Sequence, residues 1–253
     1  AIALVAAGHV VLFKRDVRAA IAWVVVISFL PLVGAFSYLL FGINRIRRKA
    51  RSLRGLPKRD VAPPLHPSPR FQDNTLDALE HFLDRTVPRP LVEGNSVALL
   101  DTGDQAYPAM IEAIDGAQKT VTICTYIFDN DAAGKLFRQA LQRAAARGVE
   151  VRVLIDAAGN RYSWPSMASL LHRDGIPTAR FLPPLFPART PFLNLRNHRK
   201  LLVVDGKNAF TGGMNIRAGN LLRSQPRHPV QDLHFQITGP LVRQLQDVFA
   251  DDW

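Results

Sequence analysis

The chain has 253 residues, which is enough for one sizeable core and a smaller appendage. Its net charge is +11 at pH 7, so the expected partners are anionic: nucleic acid, acidic lipid or phosphate-bearing substrates. Hydrophobic residues make up 47% of the chain, an ordinary share, but they are unevenly placed. The single cysteine, Cys124, excludes an intrachain disulfide and lies in an apolar run, where we expect a buried structural thiol.

Two apolar segments open the chain. Residues 1–13 carry no charge but are too short to span a bilayer, which needs about 20 residues, and we interpret them as the end of a truncated transmembrane helix. Residues 19–43 also carry no charge, and at about 1.5 Å per residue they are long enough to cross a hydrocarbon core of about 30 Å. We therefore expect a membrane-spanning helix there, kinked at Pro31 and Gly34; a buried soluble helix is the alternative.

A dense basic run follows the second apolar segment. Residues 45–59 contain eight Lys and Arg residues and no acidic residue. Because the more basic side of a membrane helix is usually cytoplasmic, the rest of the chain is expected to face the cytoplasm. Such a run also attracts anionic lipid headgroups by about 1 kcal/mol per charge near the surface.

The next stretch predicts a linker. Residues 61–70 are rich in proline and should be extended, and residues 71–86 have the apolar spacing of one amphipathic helix. From residue 91 the pattern becomes that of an α/β domain. The sequence thus predicts three regions: a transmembrane region at 1–43, a basic and proline-rich linker with one helix at 44–90, and an α/β domain at 91–253.

Within the last region, apolar runs alternate with helical patterns. Strands are expected at residues 97–100, 120–128, 149–156, 179–181, 201–204, 209–211 and 233–238. Helices are expected at residues 107–118, 131–147, 164–173 and 241–253. Because strands that alternate with helices form β-α-β units, part of the sheet should be parallel.

The stretch between residues 197 and 215 concentrates polar side chains and glycines around two short strands. Its notable residues, in order, are His198, Lys200, Asp205, Gly212, Gly213 and Asn215. Side chains two apart on a strand share a face, so His198 and Lys200 should point the same way. A tight turn expected at residues 206–208 returns the chain, and the paired glycines should leave the backbone near that face uncovered.

This combination of side chains is suited to chemistry on a phosphate. An imidazole can attack phosphorus, an ammonium can neutralise phosphoryl oxygens, and an acid can hold the ring in one tautomer. A bare H-x-K pair recurs by chance, so the alternative is a hairpin with a surface histidine and an ordinary lysine. The complete spacing, H-x-K-x4-D-x6-G-G-x-N, is far rarer.

The complete spacing resembles the signature of the phospholipase D superfamily. The surrounding sequence reads LRNHRKLLVVDGKNAFTGGMNI, followed by DLHFQITGP and FADDW. This stretch is similar to the first catalytic half of the bacterial cardiolipin synthases. The resemblance implies an α/β fold with a mixed sheet flanked by helices, preceded by an N-terminal transmembrane region. That family carries two such motifs per chain, whereas no other histidine here is followed two residues later by lysine.

The resemblance also implies the reaction and the partners. A catalytic histidine attacks one phosphatidylglycerol, glycerol leaves, and a second phosphatidylglycerol then attacks the phosphohistidine intermediate to give cardiolipin. Two histidines are needed, so a second H-x-K-x4-D half from a missing C-terminal part or another chain must complete the site. The implied location is the bacterial inner membrane, with the catalytic region facing the cytoplasm. No cofactor and no metal are implied, and the histidines lack ligand spacing.

The resemblance also implies a role for each residue of the motif. His198 is implied as one of the two catalytic histidines, and its role as nucleophile or as acid/base stays open. Lys200 and Asn215 are implied to stabilise phosphoryl oxygens. Asp205 is implied as the third catalytic motif residue, supporting the polar network, and Asp232 as the acid that orients the histidine ring.

Other residues near the motif are also considered for a place in the site. Asp156 and Gly159 end a strand at the carboxyl edge of the sheet and are expected as walls of the site. Arg196 and Arg199 flank the motif histidine and are candidates to meet headgroup phosphates. His234 alternates with apolar residues and is expected to be structural.

Three functional alternatives remain open. The chain can be a single-motif phosphodiesterase or nuclease completed by a homodimer, although the expected membrane helix makes nucleic acid the weaker substrate. It can transfer the phosphatidyl group to water, which is hydrolysis. It can also be a membrane-bound lipid-headgroup module with a decayed site, although the intact motif speaks against decay.

Overall fold

The computed structural model describes residues 2–14, 17–39, 79, 82, 89–182 and 196–253. They belong to two compact units, a helical unit at the N-terminus and an α/β unit. The predicted basic run, the proline-rich linker and all but two residues of the predicted helix at 71–86 lie outside the described residues.

Helices make up the N-terminal unit. Their bounds are α1 (Ile2–Phe13), α2 (Val17–Phe29) and α3 (Pro31–Ser37). Their shared buried cluster consists of Ala6, Val10, Ile27, Ala35 and Tyr38. Within the part of the chain that the structure describes, no helix is both long enough and apolar enough to cross a membrane.

The segment expected as one helix over residues 19–43 is divided at Pro31. Leu30 leaves the helical region, with φ −129° and ψ 73°, and Pro31 starts α3. Proline has no N–H to continue the helix, and its ring disfavours a helical conformation in the residue before it. α3 then folds against α2, so closely that a Cβ at Gly34 would overlap the carbonyl of Val26. The proline therefore produces a sharp corner where the sequence predicted a kink.

The α/β unit is built on one mixed sheet of seven strands, in the order β1-β7-β6-β5-β2-β3-β4. The strands are β1 (Ser96–Leu100), β2 (Thr120–Thr125), β3 (Glu150–Asp156), β4 (Thr178–Phe181), β5 (Leu201–Val204), β6 (Asn208–Gly212) and β7 (His234–Thr238). β2, β3 and β4 are parallel, and the other neighbouring pairs are antiparallel. The predicted mixed sheet flanked by helices is confirmed.

The helices of this unit are α4 (Gly103–Gly116), α5 (Ala132–Ala146), α6 (Met167–Arg173) and α7 (Leu241–Asp252). α5 begins where predicted, because the carboxylate of Asp131 accepts the Gly134 N–H at 3.0 Å and caps its first turn. α6 begins three residues later than predicted, at the cap formed by Ser166. α4 begins four residues earlier than predicted, so that Pro108 lies inside the helix.

The sheet lies between two helical layers. Helices α4, α5 and α6 cover one face, and α7 covers the other. β5 is buried on both faces, since Leu202 and Val204 join the first layer's core while Leu201 and Val203 join the second. The continuous apolar run of β5 is thus explained by a strand with no solvent-facing side.

Two residues with positive φ form the turn between β5 and β6. They are Asp205, with φ 52°, and Gly206, with φ 62°. The Lys207 N–H donates to the Val204 carbonyl at 3.0 Å and closes the turn. An Asp-Gly pair in this conformation is favoured in tight hairpins. The predicted turn at residues 206–208 is one residue too late, because the first left-handed position is filled by Asp205 and not by glycine.

The Asp205 carboxylate holds the segment that leads into β2. It accepts the backbone N–H groups of Gln118 at 2.9 Å, Lys119 at 2.8 Å and Thr120 at 2.9 Å. Partial burial opposes ionisation, but these three hydrogen bonds outweigh it, so the pKa of Asp205 lies below its usual value. The β5–β6 hairpin is thereby joined to the start of β2.

We expect Asp205→Asn to lower the free energy of unfolding by about 1–3 kcal/mol, with the lower end favoured by partial exposure. Asparagine tolerates a left-handed backbone, so the change removes mainly the charge on the acceptor. Because the folded pKa is depressed, the contribution is present above the unfolded pKa of about 3.9 and is lost as pH falls through the folded pKa. Urea unfolding of both proteins between neutral and acid pH measures it.

The matched control is Asp247→Asn, the same loss of charge at an exposed position of α7. It should change stability by less than about 0.5 kcal/mol. If the difference between wild type and Asp205→Asn stays constant down to pH 2, the carboxylate is not the group that stabilises the turn.

Candidate active site

Strand ends bring the motif residues to one edge of the sheet. The chain direction of each strand and its register put the ends of β2, β3 and β6 at this edge, together with the starts of β5 and β7. Residues that adjoin these strand ends are Tyr126, Asp156, His198, Lys200, Gly213 and Asp232. We call this edge the catalytic edge.

His198 lies three residues before β5, and its side chain is exposed. Its ring packs against Tyr126, with centroids 4.9 Å apart and planes at 57°. Among the described residues, no side chain or backbone group forms a hydrogen bond with the imidazole. The imidazole is therefore supported on one side and open to a substrate on the other.

Lys200 lies beside His198 but is buried, with 5% of its surface exposed. Its Nζ donates to the His198 carbonyl at 2.9 Å and lies 5.6 Å from the Tyr126 ring centroid. Both motif side chains thus reach the Tyr126 ring, as their spacing predicts. Burial lowers the pKa of Lys200, and the nearby carboxylate of Asp232 acts in the opposite direction.

Tyr126 was not identified from the sequence. It follows the apolar run of β2, and a polar aromatic residue at the carboxyl end of a strand was the available signal. Its backbone is approached closely by Gly159, where a Cβ would overlap the Tyr126 carbonyl oxygen. Burial and then the neighbouring Tyr162 and Asp156 side chains raise the pKa of Tyr126. The structure therefore places Gly159 at the catalytic edge, where the sequence predicted it.

Two carboxylates fix the backbone that leads into the motif. Asp156, buried at the end of β3, accepts the Asn197 N–H at 2.9 Å. The Asn197 side chain donates to Asp252 of α7 at 2.8 Å. The backbone that leads into His198 is therefore held by both β3 and α7.

The two arginines that flank His198 also meet these carboxylates. Arg199 forms an ion pair with Asp252. The Arg196 Nη1 lies 3.6 Å from the Asp156 Oδ1. Their charges are therefore partly neutralised within the chain, and a role in binding headgroup phosphates stays a prediction.

Asn215 is held in one orientation. Its Oδ1 accepts the Ile127 N–H at 3.1 Å, and its backbone carbonyl accepts the Tyr107 hydroxyl at 2.6 Å. Since only the amide oxygen can accept an N–H, the side-chain NH₂ is left as a donor. No pattern in the sequence indicated a role for Tyr107, which is buried within α4.

Asp232 precedes β7 and packs over Gly213, where a Cβ would overlap its carboxylate. Its Oδ1 accepts the Leu233 N–H at 2.8 Å. Among the described residues it forms no hydrogen bond with His198. Asp232 therefore lies at the catalytic edge, and its predicted contact with the imidazole is not formed in this state.

His234, two residues further on, is buried with 1% of its surface exposed. Neither ring nitrogen has a hydrogen-bond partner among the described residues. Burial lowers the pKa of His234 to about 4, with the charge of Asp232 opposing this and that of Lys200 adding to it. The ring is therefore neutral at pH 7.

Asp205 is not brought to the catalytic edge. It follows β5, whereas His198 precedes it, and seven residues of extended chain span roughly 20 Å. Its carboxylate is used at the opposite edge of the sheet, on the backbone at the start of β2. The structure therefore gives Asp205 a place in the support of the fold, far from the imidazole.

Cys124 is the single cysteine of the sequence. Cys124 is buried in β2, as predicted, and burial raises the pKa of its thiol to about 12. In the part of the chain that the structure describes, no three His, Cys, Asp or Glu side chains are grouped so that they could hold a metal ion.

Comparison with known proteins identifies the family. Residues 110–253 match the family described as "Cardiolipin synthase, PLD-like domain", and residues 1–42 match "Phospholipase_D-nuclease N-terminal". The chain therefore belongs to the phospholipase D-like family of cardiolipin synthase domains.

Two relatives illustrate the extent of the similarity. Cardiolipin synthase A of Pseudomonas aeruginosa is 33% identical over 258 residues, covering 98% of this chain and 52% of the relative. Cardiolipin synthase 1 of Bacillus anthracis is 30% identical over 247 residues, covering 95% of this chain and 48% of the relative. The chain thus spans about half the length of the curated relatives it matches.

Two solved structures are also similar. The phospholipase D family member Nuc from Salmonella typhimurium aligns with a TM-score of 0.49 and 22% identity, covering 63% of this chain and 95% of Nuc. Phosphatidylserine synthase from Haemophilus influenzae aligns with a TM-score of 0.49 and 17% identity, covering 61% of this chain and 36% of the synthase.

We expect Gly212→Ala to destabilise the α/β unit by about 1–3 kcal/mol. Gly212 ends β6 with φ 156°, and a Cβ there would overlap the Leu233 carbonyl and lie 2.7 Å from the His234 Cα. The control is Gly116→Ala at the end of α4, where a Cβ meets no atom within 4 Å. That change should be neutral or should stabilise by up to about 1 kcal/mol. Equal unfolding midpoints for the two variants would show that the glycine is not required by packing.

Proposed function

We propose that this chain is the first catalytic half of a membrane-anchored phosphatidyltransferase that forms cardiolipin from two phosphatidylglycerols. The observation that carries the proposal is the exposed imidazole of His198 beside the buried ammonium of Lys200. The oriented carboxamide of Asn215, from the same motif, adds to it. The similarity of nearly the whole chain to proteins named cardiolipin synthase supports a phospholipid substrate.

The proposed reaction has two steps. In the first, an imidazole nitrogen attacks the phosphorus of one phosphatidylglycerol, the bond from phosphorus to the glycerol oxygen breaks, and the leaving oxygen takes a proton from a second histidine. In the second, a hydroxyl of another phosphatidylglycerol attacks phosphorus, the phosphorus–nitrogen bond breaks, and the hydroxyl proton passes to that second histidine. One phosphatidyl group has then moved and one glycerol has been released.

The polar residues predicted for the site have the following proposed roles. Lys200 and Asn215 donate to the phosphoryl oxygens, where negative charge grows during attack. Asp232 accepts the N–H of the attacking or protonating imidazole once substrate has closed around the site. Asp205 acts from a distance, by holding the hairpin that carries the motif to the start of β2.

The second histidine must come from outside the motif described. His198 is the one histidine in the sequence followed two residues later by lysine. A second H-x-K-x4-D half, from another part of the protein or from another chain, would complete the site. His198 can fill either role, as nucleophile or as acid/base.

We further propose that residues 1–43 anchor the protein in the bacterial inner membrane and that the catalytic edge faces the cytoplasm. The uncharged stretch of residues 19–43 and the basic run of residues 45–59 support this orientation. The anionic lipid phosphatidylglycerol and the membrane are thus the proposed partners, and nucleic acid is the weaker one.

One observation favours a second candidate function. Because the sequence holds a single motif, a homodimer could supply both histidines, and the chain would then be a phospholipase D-type phosphodiesterase, either a phospholipid hydrolase or a nuclease. In that case water replaces the second lipid hydroxyl in the second step.

We expect His198→Ala to lower cardiolipin formation from labelled phosphatidylglycerol by about 10³-fold or more in the complete gene product. The variant should stay folded and membrane-bound, since His198 is exposed and makes no side-chain hydrogen bond among the described residues. His228→Ala, at an exposed histidine outside the catalytic edge, is the control and should keep full activity. Undiminished cardiolipin from His198→Ala would refute the assignment.

The products separate the two candidate functions. Cardiolipin together with free glycerol supports transfer, whereas phosphatidic acid and glycerol without cardiolipin support hydrolysis. Lipid label that stays on the wild-type chain after an alkaline quench, and is absent from the His198→Ala chain, would assign the nucleophile to His198.

A further inference from the structure

A loop of unusual composition borders the catalytic edge. Residues 157–166, between β3 and α6, have the sequence AAGNRYSWPS and are called the aromatic loop below. The loop carries one basic residue, Arg161, and no acidic residue. It leaves β3 directly after Asp156, the carboxylate that holds the backbone before His198.

The aromatic loop is fixed to the α/β unit at several points. Gly159 lies against the Tyr126 carbonyl so closely that no side chain would fit. The Ser163 hydroxyl accepts the Asn130 N–H at 3.0 Å, and the Asn130 side chain donates to the Pro165 carbonyl at 3.4 Å. The position of the loop is therefore set by the segment that follows β2.

Although it is fixed, the aromatic loop presents its largest side chains to the outside. Trp164 is 94% exposed and Tyr162 is 61% exposed, and Arg161 beside them is exposed as well. A tryptophan buries about 150–250 Å² when it is covered. Large aromatic side chains held outward together on one fixed loop indicate a surface that binds a protein or a membrane.

We propose that the aromatic loop docks onto the headgroup layer of an anionic phospholipid bilayer and sets the catalytic edge at the depth of the lipid phosphates. Tryptophan and tyrosine concentrate at this depth, because an apolar ring and a polar tip suit the boundary between acyl chains and water. Arg161 supplies a charge opposite to that of the headgroups. The inference rests on the proposed phospholipid substrate.

The geometry connects the aromatic loop to the reacting group. Gly159 of the loop lies against the Tyr126 backbone, and the Tyr126 ring packs on the imidazole of His198 at a centroid distance of 4.9 Å. A phosphodiester of a bilayer lipid lies at the headgroup level, with its acyl chains below. An imidazole can reach it without extracting the lipid only if the surface around the imidazole rests at the same level. The aromatic loop provides such a surface, and Tyr126 lies between the loop and His198.

The test follows the environment of Trp164 in the 253-residue chain, purified by itself. The sequence has three tryptophans, so Trp23→Phe together with Trp253→Phe leaves Trp164 as the single emitter. This protein is reconstituted in phosphatidylglycerol–phosphatidylethanolamine vesicles with and without brominated acyl chains. We expect emission to shift to shorter wavelength in vesicles, to be lost in brominated vesicles, and to be shielded from acrylamide in water.

The matched control retains Trp253 instead, through Trp23→Phe and Trp164→Phe. Trp253 stacks on Phe249 of α7, with ring centroids 5.6 Å apart, and does not belong to the aromatic loop. Its emission should be insensitive to brominated lipid. A protein with the same quenching at both positions would show general adsorption and would overturn the proposal.

Two other results would also overturn it. Trp164 that remains open to acrylamide and unaffected by brominated lipid would be a solvent-exposed residue. Trp164 that is shielded from both reagents would be covered by protein, and the aromatic loop would then be an interface with a second half or a second copy.

The measurement does not depend on turnover, so it fails separately from the proposed function. Adding His198→Ala to the single-tryptophan chain should leave the lipid quenching unchanged. Lipid quenching of Trp164 in this chain, together with no cardiolipin from the complete gene product, would leave the docking inference intact and count against the transferase. Cardiolipin from the complete gene product, together with no lipid quenching of Trp164, would do the reverse.

Discussion

Burial of β5 on both faces is the constraint on which the site depends. The four residues of this strand are apolar and buried, and helical layers lie above and below it. A strand of this kind can place polar groups only at its two ends. His198 and Lys200 therefore emerge at one edge of the sheet and Asp205 at the other, although all three belong to one short motif.

At both edges of the sheet, a carboxylate accepts hydrogen bonds from backbone N–H groups. At one edge, Asp205 accepts three backbone N–H groups at the start of β2. At the catalytic edge, Asp156 accepts the N–H of Asn197. Charged acceptors on backbone donors give short, directional bonds, so both ends of the central strands are held tightly. Catalysis by positioning needs such precision, because a displacement of about 1 Å can lower the rate by about 100-fold.

The sequence was most informative where periodicity and spacing act locally. The runs of β2, β3 and β5, the capped start of α5 and the common face of His198 and Lys200 follow from such rules. It was less informative where a contact joins distant segments. Tyr126 and Tyr107 support the motif from other parts of the chain, 72 and 108 residues from His198 and Asn215 respectively. No local pattern indicates that either tyrosine contacts the motif. The strand between Asp205 and His198 separates the two side chains in space. The spacing of the motif in the sequence does not show this separation.

The catalytic edge also differs from the rest of the core in how well its polar groups are satisfied. Lys200 is buried with one hydrogen bond to a carbonyl, and both ring nitrogens of His234 lack partners among the described residues. Burial without full hydrogen bonding is unfavourable, and the lowered pKa of Lys200 reflects it. Under the proposed function, a phosphodiester brings the anionic oxygens that this ammonium lacks. The burial that disfavours the free charge also strengthens its attraction for a phosphoryl oxygen, since fewer water dipoles screen the pair. A lysine two residues from the histidine, directly before a strand with no exposed face, is therefore suited to bind the phosphate that the imidazole attacks.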